Sequence, residues 1–95
     1  MEKTYKWDPA SHIKTKEDVI GYLEAVLEEN DTELLFHVIG DIARSEGMTQ
    51  LARELNLSRE SLYRSFSKSG NPSFTTVIKL LDLLGYRIEV KQKTA

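Results

Sequence analysis

Apolar side chains recur at three- and four-residue steps over most of residues 19–84, a spacing that predicts amphipathic helices. The first predicted helix is capped by Thr15 and runs to about Glu29, and the second is capped by Asp31 and ends before Gly47. Each is expected to bury one apolar face. The expected buried positions are Val19, Ile20, Tyr22, Leu23, Val26, Leu27, Leu34, Leu35, Val38, Ile39 and Ile42.

Three further helices are predicted after Gly47. One spans about residues 48–55, the next is capped by Ser58 and runs to about residue 66, and the last is capped by Ser73 and stops at Gly85. The expected buried face of the last helix consists of Phe74, Val77, Ile78, Leu80, Leu81 and Leu84. Because 95 residues support one hydrophobic core, the pattern predicts an all-α chain folded as a single domain over residues 1–95.

The two ends of the chain differ from this helical pattern. Residues 1–14 lack helical period and contain Pro9, which excludes its predecessor from helical backbone, so an extended N-terminal arm is expected. After Gly85, Tyr86, Ile88 and Val90 alternate with charged residues, which predicts a short C-terminal β-strand over residues 86–91. A strand needs a hydrogen-bonding partner, which would be the arm, the same strand of a second subunit, or another protein.

Charge is divided unequally between the two halves of the chain. Residues 1–46 hold five Lys/Arg and eleven Asp/Glu, a net of −6, whereas residues 47–95 hold eight and four, a net of +4, within a total of −2. The basic half is therefore the candidate nucleic-acid surface. The acidic half suits a basic protein partner, and the alternative is a solvated pair of acidic helices without a partner.

Composition excludes several classes of function. The chain has no cysteine, hence no disulfide or thiolate metal site, and it has no apolar run typical of a signal peptide or a membrane span, so a cytoplasmic location is expected. The two histidines, His12 and His37, have no companions at metal-ligand or catalytic-triad spacing. We therefore expect no enzyme activity, no metal and no cofactor.

Residues 48–66 carry the spacing of a helix-turn-helix. That motif needs a small residue where its helices cross, a tight turn, and apolar residues inward at fixed offsets. Ala52 is the small residue, Asn56 is the turn residue with a tolerance for positive φ, and Leu62 anchors the second helix. The remaining inward positions are Leu51, Leu55 and Leu57.

Placing Leu62 inward turns the polar side chains of the second helix outward, where arginine, glutamate and serine can reach base edges in a DNA groove. The base-reading candidates are Ser58, Arg59, Glu60, Ser61 and Arg64. The candidates for phosphate contacts are Thr49, Gln50, Tyr63, Ser67 and Lys68. The alternative is a helical module that does not bind DNA, in which Glu60 and Arg64 form only a surface ion pair.

Three stretches also carry a resemblance to a known family: GMTQLA at 47–52, LSRESLYR at 57–64 and GNPSF at 70–74. Together with Asp8-Pro9, YLEA at 22–25 and GDIAR at 40–44, they make almost the whole chain similar to addiction-module antidote proteins with a lambda-repressor-like domain. The resemblance implies a five-helix DNA-binding fold with Ser58, Arg59, Glu60 and Arg64 beginning the recognition helix. Asn56, where many helix-turn-helix sequences have glycine, departs from the pattern.

The resemblance further implies a type II antitoxin that represses its operon as a homodimer and binds a RelE/ParE/HigB-like toxin. It does not locate the toxin surface. Negative charge, and aromatic residues beside a proline, suggest that the toxin binds the arm together with the first helix. The candidate toxin-binding residues are Tyr5, Trp7, Asp8, Tyr22, Glu24, Glu28 and Glu29. Alternatively, Tyr5 and Trp7 cover the protein's own core. Other interpretations are a stand-alone phage-like repressor and a protein-only interaction module.

Overall fold

The computed structural model describes residues 15–67 and 69–94 of the chain. Over these residues the protein is all-helical, as predicted. Its five helices are α1 (Lys16–Glu28), α2 (Thr32–Glu46), α3 (Met48–Glu54), α4 (Arg59–Ser65) and α5 (Phe74–Leu84). The predicted N-terminal arm, with Tyr5, Trp7, Asp8 and His12, lies outside the described residues.

Four of the helices begin at the residues predicted to cap them. The side chains of Thr15, Asp31, Ser58 and Ser73 each accept a hydrogen bond from the backbone N–H three residues later, at 3.0–3.1 Å. Each such bond satisfies one of the four N–H groups that a helix leaves unpaired at its start, and it contributes about 1 kcal/mol. The caps therefore fix the starts of α1, α2, α4 and α5.

The last helix ends at Gly85, which has a φ of 97°. The Tyr86 N–H donates to the Leu81 carbonyl at 2.8 Å and the Gly85 N–H to the Asp82 carbonyl at 3.0 Å, the two bonds of a Schellman motif. Lys16 closes the same end: its Nζ donates to the Leu84 carbonyl at 2.8 Å and lies 4.7 Å from the Tyr86 ring. These contacts join the start of α1 to the end of α5.

Helix α2 is the centre of the fold because it contacts α1, α3 and α5, while α4 packs on α3. The largest fully buried side chains are Phe66, Ile39, Leu62, Leu80 and Val38. Burial of each such side chain stabilises the fold by roughly 1.5–3 kcal/mol. Phe36 meets Phe66 edge to face, with ring centroids 6.3 Å apart and an interplanar angle of 88°.

Some apolar residues predicted to be buried are exposed instead. These residues are Ile20 and Leu27 on α1 and Phe74 and Ile78 on α5, and Phe74 retains 70% of its accessible surface. Periodicity identified the apolar side of each helix correctly but overestimated its covered width. A peripheral helix in a small bundle buries only the stripe that faces its neighbours, and apolar residues at the edge of that stripe stay in solvent.

The predicted β-strand over residues 86–91 is not formed: residues 86–91 carry no regular secondary structure in the described single chain. Tyr86 is half-buried, whereas Ile88 and Val90 are exposed. The physical reason is that alternation of side chains does not make a strand without a second backbone to receive its hydrogen bonds, and none of the described residues supplies one.

Candidate nucleic-acid interface

Helices α3 and α4 are joined by a tight turn at residues 55–58. Asn56 has a φ of 62°, and its N–H donates to the Arg53 carbonyl at 3.1 Å. The next N–H, of Leu57, donates to the Ala52 carbonyl at 2.9 Å, which completes a Schellman motif at the end of α3. Asn56 is thus confirmed as the turn residue. Asparagine tolerates the left-handed region well, so it takes the place of glycine here.

The contact between α3 and α4 confirms the predicted inward residues. Ala52 is 2% exposed and Leu62 is fully buried, while Leu51 is buried beside them. Leu55 and Leu57 are half-buried against the same core. A small residue at the crossing lets the two helices approach closely, and the turn then fixes the outward direction of the polar side chains on α4.

The predicted base-reading residues form a connected polar surface along α4. Ser58, Arg59, Glu60 and Arg64 are exposed, and Ser61 is half-buried. The Ser58 hydroxyl donates to Ser61 Oγ at 2.9 Å, and Arg64 Nη2 donates to the same oxygen at 3.5 Å. Arg64 is therefore oriented by Ser61, and the alternative ion pair between Glu60 and Arg64 is not among the contacts of the described residues.

Arg59 connects the two helices. Its Nη1 donates to Thr49 Oγ1, near the start of α3, at 3.4 Å, and its guanidinium lies 5.5 Å from the ring of Tyr63. Thr49 was predicted to contact phosphate and Arg59 to contact bases, so the structure places one candidate of each kind side by side. Tyr63 is half-buried, and its ring packs against the guanidinium of Arg59.

Arg44 of α2 is part of this surface, although it was not among the site residues predicted from the sequence. Its guanidinium lies 5.7 Å from the Tyr63 ring, so that ring has Arg44 and Arg59 as neighbours. Arg44 also forms an ion pair with Asp41, which in turn lies 3.4 Å from His37 Nε2. Arg44 belongs to a different helix in the acidic half of the sequence, and only the folded chain brings it to Tyr63.

The other described residues predicted to contact phosphate, Gln50 and Ser67, form hydrogen bonds with residues of their own helix or the helix just before them. Gln50 is exposed but is occupied along its own helix, donating to Glu54 Oε2 at 3.3 Å and accepting from Arg53 at 3.5 Å. Ser67 Oγ donates to the Arg64 carbonyl at 2.8 Å and thus satisfies the end of α4. Lys68 lies outside the described residues.

The residues predicted to bind a toxin do not form one patch on α1. Glu24, Glu28 and Glu29 are exposed, and Tyr22 is half-buried, which raises the pKa of its hydroxyl. At about 100° per residue, Tyr22 lies about 160° from Glu24 around the helix. Tyr22 and Glu29 therefore share one flank, and Glu24 and Glu28 share the other.

Two exposed apolar residues, Ile20 and Leu27, lie beside Glu24 on α1. Each is within about 60° of Glu24 around the helix axis. Sequence reasoning missed them as surface residues because their periodicity assigned them to the core. The structure therefore places apolar and acidic side chains next to each other on this flank of α1.

Neither a cluster of metal-ligand side chains nor a membrane-spanning helix is found over the described residues. No three His, Asp or Glu side chains lie close enough together there to hold a metal ion. None of the helices within that part of the chain is sufficiently long and apolar to cross a membrane.

Comparison with known proteins covers nearly the full chain. A protein of Haemophilus influenzae, described as an uncharacterized protein, is 40% identical over 91 residues, which is 96% of this chain and 94% of that protein. No solved structure matches the chain. The sequence profile of a family described as "probable addiction module antidote protein" matches residues 3–92. The predicted membership of the antidote family is thus confirmed, and the chain belongs to this family of addiction-module antidote proteins.

Proposed function

We propose that the protein is the antitoxin of a type II toxin–antitoxin module. It binds operator DNA as a homodimeric transcriptional repressor through a lambda-repressor-like helix-turn-helix, and it neutralises a RelE/ParE/HigB-like toxin by direct binding. The observation that carries the proposal is membership of the antidote family over residues 3–92. Membership of that family supports a regulatory protein that acts by binding a toxin.

The DNA-binding part of the proposal is supported by α3 and α4. In this proposal α4 is the recognition helix and enters the major groove. Arg59 and Arg64 are exposed on it and can each bind guanine O6 and N7 through two hydrogen bonds, while Glu60 can accept from cytosine N4. Ser58 and Ser61 hold the start of the helix and orient Arg64.

The remaining candidates position the protein on the DNA backbone. Thr49 and Gln50 are exposed on the first turn of α3, and Tyr63 supports Arg59. We assign phosphate contacts to these three residues and to Ser67 and Lys68, since hydroxyl, amide and ammonium groups beside a recognition helix commonly hold phosphate oxygens. Such contacts fix the register of the protein without specifying bases.

Fluorescence anisotropy with the DNA upstream of the protein's own reading frame tests this part. Arg64→Ala is expected to weaken binding to that DNA by about 1–3 kcal/mol, or roughly 5- to 150-fold, with a smaller change for a scrambled duplex of equal length. Lys93→Ala is the control, because it removes one positive charge from an exposed residue outside α3 and α4. Equal losses for the two variants would contradict a reading role for Arg64.

Toxin binding is proposed to use the acidic flank of α1, with Glu24 and Glu28, together with the second flank at Tyr22 and Glu29 and the arm residues Tyr5, Trp7 and Asp8. A basic toxin would be attracted and oriented by these carboxylates. Co-purification with the product of the neighbouring reading frame tests it. If the protein binds the operator but does not capture that product, it is a stand-alone repressor. If it captures the product but does not bind the operator, it is a protein-only interaction module.

Homodimer formation completes the proposal. One recognition helix reads one half-site, and two helices related by twofold symmetry read half-sites about one DNA turn apart. The C-terminal segment, residues 86–94, lies beside α5 and contains the residues predicted from the sequence to form a dimer strand, Tyr86, Ile88 and Val90. Sedimentation of the protein on the operator DNA should therefore give two chains per duplex.

A further inference from the structure

A groove of about 610 Å³ lies between α5 and the C-terminal segment. We call it the α5 groove. Its apolar lining includes Phe74, Ile78 and Leu83 of α5 and Ile88 and Val90 of the C-terminal segment. These five are also exposed, and the other large exposed apolar residues of the described chain, Ile20 and Leu27, lie on α1.

This concentration of apolar surface has a physical cost. Apolar surface left in water forgoes the stabilisation that burial would give, and adjoining exposed apolar side chains mark surfaces that another macromolecule covers. Phe74 is 70% exposed and Val90 95% exposed, so neither contributes much to the stability of the isolated chain. Burying these two side chains in an interface would therefore stabilise a complex with another macromolecule.

The charges around the α5 groove indicate what covers it. Glu54 and Asp82 contribute two negative charges, and Lys79 and Arg87 two positive charges. A surface facing a basic toxin should be mainly acidic, and one facing DNA should be mainly basic. A surface that faces a copy of itself across a twofold axis must complement itself, and a balanced rim around an apolar centre meets that requirement.

We propose that the α5 groove is the surface through which two copies of this chain associate. The inference rests on the proposed function, which calls for two recognition helices in one particle. In the dimer, Phe74 and Ile78 of one copy pack against Ile88 and Val90 of the other, and the acidic and basic rim residues pair across the axis.

The mode of association is side-chain burial and not the pairing of two strands. Tyr86, the first residue of the predicted strand, is held to its own chain by the bond from its N–H to the Leu81 carbonyl and by contact with Lys16. The side chains of Ile88 and Val90 remain exposed beyond it. They can enter a partner's groove without the backbone forming a ladder.

Sedimentation velocity of the full chain without DNA tests the proposal. The wild-type protein should be a dimer at micromolar concentration, and Phe74→Asp combined with Val90→Asp should yield a monomer. Both positions are largely exposed, and an acidic residue is favourable in the first turn of α5, so the fold should be retained. Circular dichroism and the melting temperature of the variant check this.

Leu27→Asp is the matched control, since it also replaces an exposed apolar residue with a charge, on α1. It should leave the dimer intact. A wild-type monomer, or a dimer that survives the double substitution, overturns the proposal. So does a double variant that remains dimeric but no longer captures the product of the neighbouring reading frame, because the groove would then hold the toxin.

Cross-linking gives an independent measurement because the chain has no cysteine. Val90→Cys should form a covalent dimer on mild oxidation, whereas Glu24→Cys on α1 should not. The reverse result would place the interface on α1 and overturn the proposal. Neither measurement contains DNA, so wild-type protein that dimerises but fails to bind its upstream DNA counts against the proposed function and leaves this inference standing.

Discussion

At Asn56 the identity of a single side chain sets the free-energy cost of the turn from α3 into α4. Its φ of 62° lies in the region that costs most L-residues about 1–2 kcal/mol. Glycine adopts this conformation freely and asparagine at a reduced cost, whereas alanine has no compensating local hydrogen bonds. The geometry of the candidate DNA surface therefore depends on a residue that is not itself among the predicted DNA contacts.

Asn56→Ala should consequently lower the free energy of unfolding by about 1 kcal/mol, while Asn56→Gly should leave it equal or slightly higher. Urea unfolding followed by circular dichroism measures both. If the two substitutions destabilised the protein equally, the side chain of Asn56 would be important for its contacts and not for its backbone conformation.

Two glycines within helices give a contrasting pair. A Cβ added at Gly40 would lie 2.9 Å from the Phe66 carbonyl oxygen and 3.1 Å from Phe66 Cβ, so the end of α4 approaches α2 as closely as glycine allows. At Gly21, on α1, an added Cβ would meet nothing within 4 Å.

Gly21→Ala should therefore stabilise the protein by roughly 0.5–1 kcal/mol through better helix propensity, and Gly40→Ala should destabilise it. Thermal unfolding of the two variants gives the comparison directly, since the substitution is the same and both positions are helical. Stabilisation by Gly40→Ala would mean that Phe66 shifts at little cost.

Residues with local roles were the ones that the sequence predicted well. A capping serine or threonine bonds to a backbone N–H three residues away, so its role can be recognised within four residues, and Thr15, Ser58 and Ser73 were all assigned correctly. Arg44 could not be found in this way. Its contact with Tyr63 depends on how α2 packs against α4, which no local spacing encodes.

At the scale of elements, the sequence predicted the existence and bounds of all five described helices to within about a residue, but not which apolar residues would be covered. The period of 3.6 residues shows the direction of an apolar face, and the number of neighbouring helices decides its buried width. Ile20 on α1 and Phe74 on α5 belong to faces with few neighbours.

Helix α1 provides the element-scale test of toxin binding. Glu24→Lys with Glu28→Lys should weaken capture of the toxin by at least tenfold, because it reverses the charge on one flank without affecting the buried stripe at Val19 and Val26. DNA binding should persist. Glu33→Lys on α2 is the control for a general change in net charge, and undiminished capture by the double variant would remove this flank from consideration.

At the scale of the whole molecule, the surfaces proposed for DNA, toxin and a second copy are centred on three different helices, α4, α1 and α5. The charge asymmetry of the sequence suggested the first two but could not reveal the third. The α5 groove depends on the position that the C-terminal segment takes beside α5, and the sequence pattern had assigned that segment to a strand.

Tyr86 gives the folded molecule a measurable response to alkali. Burial raises the pKa of its hydroxyl, and the negative charges of Glu46 and Glu17 raise it further. A pKa above that of the unfolded chain means that the stabilisation is complete below about pH 10 and is lost as pH rises through the folded-state value. Tyr22, whose pKa burial also raises, acts in the same direction.

The free energy of unfolding should therefore fall as the pH rises above about 10, and Tyr86→Phe should make that fall shallower. Urea unfolding at several pH values, with tyrosinate absorbance recorded in parallel, provides the measurement. Identical pH profiles for the variant and the wild type would show that Tyr86 does not contribute to the alkaline response.

The bond from Lys16 Nζ to the Leu84 carbonyl joins residues 68 positions apart, and this separation has a kinetic consequence. Contacts between distant parts of a chain close after local helices have formed, so this bond is expected to be absent from the folding transition state. Lys16→Met should therefore leave the folding rate nearly unchanged. If the bond contributes about 1 kcal/mol, its loss should accelerate unfolding about fivefold in stopped-flow measurements. The side chain of Lys16 would thus lengthen the lifetime of the native molecule between unfolding events about fivefold.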